Sequence, residues 1–113
     1  MIKMVASDLD GTLLVNGSQS IPEEIFPLIK KLKDMGILFV AASGRQYANM
    51  RNLFAPVKDD MAFIGENGGL AIQNEKLLYC DSFDKKLVME IIEAIQEKKD
   101  AEFSCSTKDF YYI

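Results

Sequence analysis

The chain of 113 residues contains one place where two carboxylates stand a single residue apart beside a glycine, Asp8-Leu9-Asp10-Gly11-Thr12. On extended backbone, residues two apart project to the same side, so Asp8 and Asp10 point together while Leu9 turns toward a core. Adjacent carboxylates repel each other, which favours holding a hard cation or keeping one of them protonated at some stage. Mg²⁺ meets that demand. A calcium loop does not: it needs an oxygen ligand at its fifth position, Gly at its sixth and Glu at its twelfth, where this chain has Thr12, Leu13 and Gln19. Taken alone, the stretch also reads as a solvated Asp-Gly turn.

A second cluster, Ser43-Gly44-Arg45, offers a hydroxyl, unpaired amides at the start of a helix and a guanidinium, all suited to phosphate oxygens. By itself it also reads as an N-capping serine followed by a turn glycine. A third, Gly65-Glu66-Asn67-Gly68-Gly69, has glycines that permit unusual backbone angles and an Asn67 able to bridge loops, so its first role is structural. No G-x-G-x-x-G fingerprint or P-loop lysine accompanies these clusters. The chain has no histidine, which excludes a Ser-His-Asp triad, a Cys-His dyad and every His-ligated metal. Its two cysteines, Cys80 and Cys105, are too few and too far apart for CxxC chemistry and read as buried or half-buried apolar residues of a reducing cytoplasm.

The elements that must position these clusters follow from hydropathy. Ile2 to Ser7 is a short apolar run ending at the Asp pair, a buried strand. Ser20 and Glu23 are spaced as a capping box, and Ile25, Leu28, Ile29 and Leu32 then recur at helical spacing until Gly36, with Pro27 expected to kink the helix or shift its start. Ile37 to Ala42 is continuously apolar, as in a strand covered on both faces. Gln46 to Ala55 places Tyr47, Met50 and Phe54 on one helical face before Pro56, and Met61 to Ile64 reads as the third strand. Strand, helix, strand, helix, strand implies a parallel sheet, so the first two clusters fall at strand ends on one rim, where open α/β sheets bind ligands, while the third either lines that rim or turns the chain into the next layer.

After Gly65 the pattern changes. Leu70 to Gln73 and Lys76 to Tyr79 read as a hairpin, and a helix follows over about Asp84 to Lys99 with Leu87, Val88, Ile91, Ile92 and Ile95 on its buried side. Ala101 to Ser106 alternates weakly, and Phe110 to Ile113 opens another strand. The fold class is therefore α/β, a partial Rossmann-like parallel sheet of three strands with helices over residues 1–69, followed by the start of an α+β layer over 70–113. With hydrophobic residues at 49% and a formal charge of 13 − 17 = −4, the chain is a folded domain with little affinity for nucleic-acid phosphates. Its apolar runs are too short to span a membrane.

In this order and at strand ends, Asp8-Leu9-Asp10-Gly11-Thr12-Leu13-Leu14, Ser43-Gly44-Arg45 and Glu66-Asn67-Gly68-Gly69 resemble the haloacid dehalogenase superfamily, most closely its Cof-type phosphatase branch. The resemblance implies that Asp8 is a nucleophile forming an aspartyl phosphate and that Asp10 is general acid, then base. It further implies that Asp8 and Asp10 take part in Mg²⁺ binding and that Thr12, Ser43, Gly44, Arg45 and Asn67 contact phosphate or substrate. The implied activity is Mg²⁺-dependent hydrolysis of small phosphorylated metabolites such as sugar phosphates. Members of the family are typically more than twice as long, with a cap domain after the third strand and later motifs supplying a lysine and further acids. Neither later motif is found after Gly69, so residues 70–113 are expected to begin a cap, and the chain to be a truncated form of low activity. An apolar sheet edge left open this way would favour self-association. A receiver-like phospho-accepting module and a non-catalytic metal- or phosphate-binding remnant are the alternatives.

Overall fold

The computed structural model describes residues 1–109 and 111–112. It divides the chain into two units, Met1–Cys80 and Asp81–Ile113. In the first, β1 (Met4–Ser7), β2 (Leu38–Ala42), β3 (Met61–Gly65), β4 (Leu70–Gln73) and β5 (Lys76–Cys80) form a five-stranded sheet in that order. β1, β2 and β3 are parallel neighbours, with Ser7 opposite Ala41 and Ala42 opposite Ile64. β4 and β5 run antiparallel. The hairpin therefore extends the same sheet past Gly69, where the sequence divides the chain. Its turn residues Asn74 and Glu75 both have positive φ, which lets two residues reverse the chain so that β5 runs back along β4.

The parallel strands are joined through α1 (Ile25–Asp34) and through α2 (Tyr47–Leu53) with a short 3₁₀ turn, Ala55–Asp60. Both connections supply one core: Ile29 from α1, Met50 from α2, and Phe54 and Val57 after it pack with Phe39, Ala41, Met61 and Phe63 from β2 and β3. Phe54 sits between two rings, 6.3 Å from Phe39 and 6.1 Å from Phe63.

β1 departs from the buried strand expected of Ile2 to Ser7. It occupies the sheet edge, paired with β2, and Met4 and Val5 are exposed. An apolar run signals burial on average, but the order of strands in the sheet, which the run does not encode, decides which strand receives it. The capping box is likewise absent. Ile21 is buried, so the chain turns through Pro22–Glu24 before α1 can start, and Glu24 occupies the N-cap without a side-chain bond. Pro27 then falls in the first turn, where amides need no helical partner, and causes no break. At the far end Gly36 (φ +74°) closes the helix, with Gly36 N–H donating to Lys33 C=O (2.9 Å) and Ile37 N–H to Leu32 C=O (2.9 Å).

In the second unit α3 (Lys85–Gln96) is capped by Asp84, whose carboxylate accepts from the Lys86 amide at 3.0 Å. The apolar stripe expected to be buried is only half-buried at Val88, Ile92 and Ile95, and Leu87 and Ile91 are exposed. β6 (Cys105–Ser106) pairs antiparallel with β7 (Tyr111–Tyr112); Phe110 and Ile113, the ends of the last expected strand, lie outside the described residues. Cys80 is exposed rather than buried, because it closes a β5 whose residues are exposed throughout, and Cys105 is half-buried. Among the described residues no helix is long and apolar enough to cross a membrane.

Candidate active site

Asp8 follows the last residue of β1, and Ser43 follows the last residue of β2, so both stand on the rim at the carboxyl ends of neighbouring parallel strands. The peptide from Asp8 to Leu14 folds back on itself around Leu9, which is fully buried. The Leu9 carbonyl accepts from the amides of Thr12 (3.0 Å) and Leu14 (2.8 Å), Gly11 turns at φ +82°, and Leu14 is also buried. Leu9 is thus a peg in the core, with Asp8 and Asp10 exposed on either side of it, as the alternation requires. Asp8 accepts from the Leu9 amide at 2.7 Å, and Thr12 lies exposed in the turn beyond Asp10.

The second cluster reaches the first through Arg45. Its Nε–H donates to one oxygen of Asp10 (2.8 Å) and its Nη2–H to the other (2.7 Å), a bidentate ion pair across 35 residues of chain. Nη1–H donates to Asn49 Oδ1 at 2.8 Å. The guanidinium holds the Asp10 carboxyl below the ordinary carboxylate range, mainly through these hydrogen bonds, and Asp10 in turn raises Arg45. Asp10 remains 60% exposed, so another ligand has access to it. Ser43 does not cap α2, which begins only at Tyr47 behind Gln46; its Oγ instead accepts from the Arg45 amide (3.1 Å) and closes a local turn. The expected cluster of helix-start amides beside Ser43 is not formed, because α2 starts four residues later.

The third cluster is stitched to the second. Ser43 N–H donates to Ile64 C=O (2.9 Å), Glu66 N–H to Arg45 C=O (3.1 Å) and Asn67 N–H to Ser43 C=O (3.3 Å). Asn67 Oδ1 lies 2.7 Å from where a Cβ on Gly44 would be, so the absent side chain of Gly44 admits the Asn67 amide. The left-handed backbone falls on Glu66 (φ +53°), Asn67 (φ +54°) and Gly68 (φ +97°), whereas Gly65 is extended. Gly65 serves by its size, since its missing Cβ would stand 3.0 Å from both Arg45 C=O and Met50 Cε.

Asp10, Ser43, Gly44, Arg45 and Asn67 are thus joined directly, with Asp8 and Thr12 on the same turn as Asp10. Sequence reasoning missed Asn49, which stands in the first turn of α2 while Arg45 lies in the loop before it, so no helical spacing signals the contact. The oxygen donors Asp8 and Asp10 suit a hard cation, although among the described residues no group of three or more His, Cys, Asp or Glu side chains is placed to hold a metal ion.

Residues 5–113 match the family described as haloacid dehalogenase-like hydrolase. The 5-amino-6-(5-phospho-D-ribitylamino)uracil phosphatase YbjI of Escherichia coli is 29% identical over 111 residues, covering 98% of this chain and 41% of its own length. The similarly named YcsE of Bacillus subtilis is 34% identical over 86 residues, covering 71% of this chain and 34% of its own length. A crystal structure from Eubacterium rectale matches with a TM-score of 0.86 and 32% identity, over 97% of this chain and 42% of that one. The chain spans about two-fifths of the length of the Escherichia coli and Eubacterium rectale proteins.

Proposed function

The chain belongs to the haloacid dehalogenase-like hydrolase family, and from that premise we propose that its rim site hydrolyses phosphoric monoesters of small metabolites, sugar phosphates among them, through a phosphoryl group carried on Asp8. The observation that carries this reading is the bidentate Asp10–Arg45 pair, which places an acid and a phosphate-matching cation beside the Asp8 turn. The two relatives named for a phosphorylated ribityl compound support the substrate class.

A carboxylate oxygen of Asp8 attacks phosphorus, the bond to the leaving oxygen breaks, and a protonated Asp10 delivers its proton to that oxygen. Asp10, now ionised, takes a proton from the water that attacks the aspartyl phosphate, releasing inorganic phosphate and restoring Asp8. Arg45 as it stands holds Asp10 ionised, the form needed in the second step. The first step therefore requires the guanidinium to turn from Asp10 to phosphoryl oxygens, which offer it the same two-point match. The Ser43 and Thr12 hydroxyls add donors, and Gly44 makes room for Asn67, which ties the loops. Asp8 through its carboxylate and Asp10 through its backbone carbonyl would hold Mg²⁺, which needs only one or two carboxylates plus phosphate and, when bound, offsets the repulsion between Asp8 and the substrate. Two free cysteines suit a reducing cytoplasm as the compartment. A receiver-like module is disfavoured by the two antiparallel strands that end the sheet.

The test is labelling with acetyl [³²P]phosphate and Mg²⁺. The wild-type chain should take up hydroxylamine-sensitive label at Asp8 and the Asp8→Asn variant none; equal labelling of the folded variant rejects Asp8 as nucleophile.

A further inference from the structure

The Arg45 guanidinium has two edges able to make a two-point match with a carboxylate or phosphoryl group: Nε with Nη2, and Nη1 with Nη2. In the structure Nη1–H is engaged by Asn49 Oδ1 at 2.8 Å, and the Nε/Nη2 edge faces both oxygens of Asp10. The main chain of Arg45 is held at both ends as well, its amide by Ser43 Oγ and its carbonyl by the Glu66 amide. What the backbone contacts leave undetermined is rotation of the side chain, on which Asp10 acts at the Nε/Nη2 edge and Asn49 at Nη1. Asn49 belongs to α2, whose next residue, Met50, is fully buried and fixes the helix to the core. The amide is thus carried on a helix anchored in the core, while Arg45 is a long side chain with rotamer freedom to lose.

We propose that Asn49 is a positioning residue: it occupies Nη1 and so assigns the Nε/Nη2 edge of Arg45 to Asp10 and, in exchange, to the phosphoryl group. The proposal rests on the phosphatase reading only for the identity of the exchanging ligand; the contact with Asn49 stands without it. Asn49 touches Arg45 and not Asp10, so its effect on anion binding must pass through the guanidinium. Its side chain is exposed on the helix, and Asn49→Ala removes no core atom and improves helix propensity, so the variant should fold.

The experiment uses the 113-residue chain, ¹⁵N-labelled, with inorganic phosphate and Mg²⁺ as probe. In the wild type the Arg45 Nε–H and Nη signals should be resolved and should shift on adding phosphate. Asn49→Ala should average the Nη signals through freer rotation and weaken phosphate binding by about threefold, the size expected for one exposed hydrogen bond to a charged group. Asn49→Asp, which keeps an oxygen in the same place, should restore the resolved Nη signals. In an Arg45→Ala background, Asn49→Ala should change phosphate affinity no further. Unchanged Arg45 signals in Asn49→Ala overturn the proposal, and so does an affinity loss of equal size with Arg45 removed. If the wild type binds no phosphate, the phosphatase reading fails, and the Arg45 signals alone decide the role of Asn49.

Discussion

Replacing Gly65 and Gly44 by alanine should have opposite consequences, though both glycines lie where the second and third clusters meet. An alanine at either site narrows the unfolded ensemble and gains about 0.4–1 kcal/mol, provided the native backbone suits it. Neither position has a positive φ, so the gain applies to both. At Gly65 the new Cβ would stand 3.0 Å from the Arg45 carbonyl and 3.0 Å from Met50 Cε. The carbonyl is backbone, bonded to the Glu66 amide, and Met50 is fully buried, so neither yields freely. Overpacking of this kind costs about 1–3 kcal/mol, leaving Gly65→Ala destabilised by about 1 kcal/mol, or about 4–8 °C in Tm for a unit of this size. At Gly44 the obstacle at 2.7 Å is the end of the Asn67 side chain, which can swing aside. An off-rotamer side chain costs about 0.5–1.5 kcal/mol, which roughly cancels the gain and leaves Gly44→Ala near neutral while displacing Asn67. Urea unfolding followed by circular dichroism measures both. A Gly44→Ala loss as large as that of Gly65→Ala, or a Gly65→Ala variant as stable as wild type, refutes the reasoning.

Arg45 lowers the Asp10 pKa, so Arg45→Ala should raise the Asp10 titration midpoint seen by ¹³Cγ NMR; an unmoved midpoint contradicts the ion pair. The sign for stability follows: the pair's contribution is present above the unfolded Asp pKa and lost as pH falls through the lower folded one, so the wild-type advantage over Arg45→Ala should shrink in acid. With Arg45 the cation bonded to Asp10, the 113-residue chain should turn over phosphatase substrates far more slowly than the ~10 s⁻¹ of an ordinary enzyme, and a rate near that value counts against this charge argument. Met4 and Val5 are exposed on edge strand β1, so sedimentation should show concentration-dependent association that Val5→Lys reduces; a monomer at all micromolar concentrations speaks against it.

Much of the site was legible because its geometry is local. The in-and-out order of Asp8, Leu9 and Asp10 expected from strand alternation is found, although β1 ends at Ser7 and Leu9 already lies in the turn. β2, apolar at every position, has its middle residues buried on both faces, as β3 does. The features that escaped depend on the assembled sheet. β1 and β2 have similar apolar runs, so the run alone misjudged the burial of β1; the exposed apolar edge was expected only from the family resemblance, which bears on strand order. The positive φ values of Glu66 and Asn67 were hidden because glycines on both sides are the usual carriers of that conformation. The capping reading of Ser43 fails because the helix begins at Tyr47, the first residue of its apolar face and four residues beyond Ser43, whose oxygen accepts from the Arg45 amide instead.

The Leu9 peg bears on how the site responds to local opening. β1 is paired with β2 and exposed along most of its length, so its amides should exchange with solvent earlier than those of β2 and β3. The carboxylates need not follow. Leu9 and Leu14 are locked into the core just beyond the strand, with two hydrogen bonds to the Leu9 carbonyl closing the turn between them. Fraying of β1 would therefore stop at Asp8. The strand that leads to Asp8 and the turn that carries it should then open separately, with Asp8 held from the downstream side.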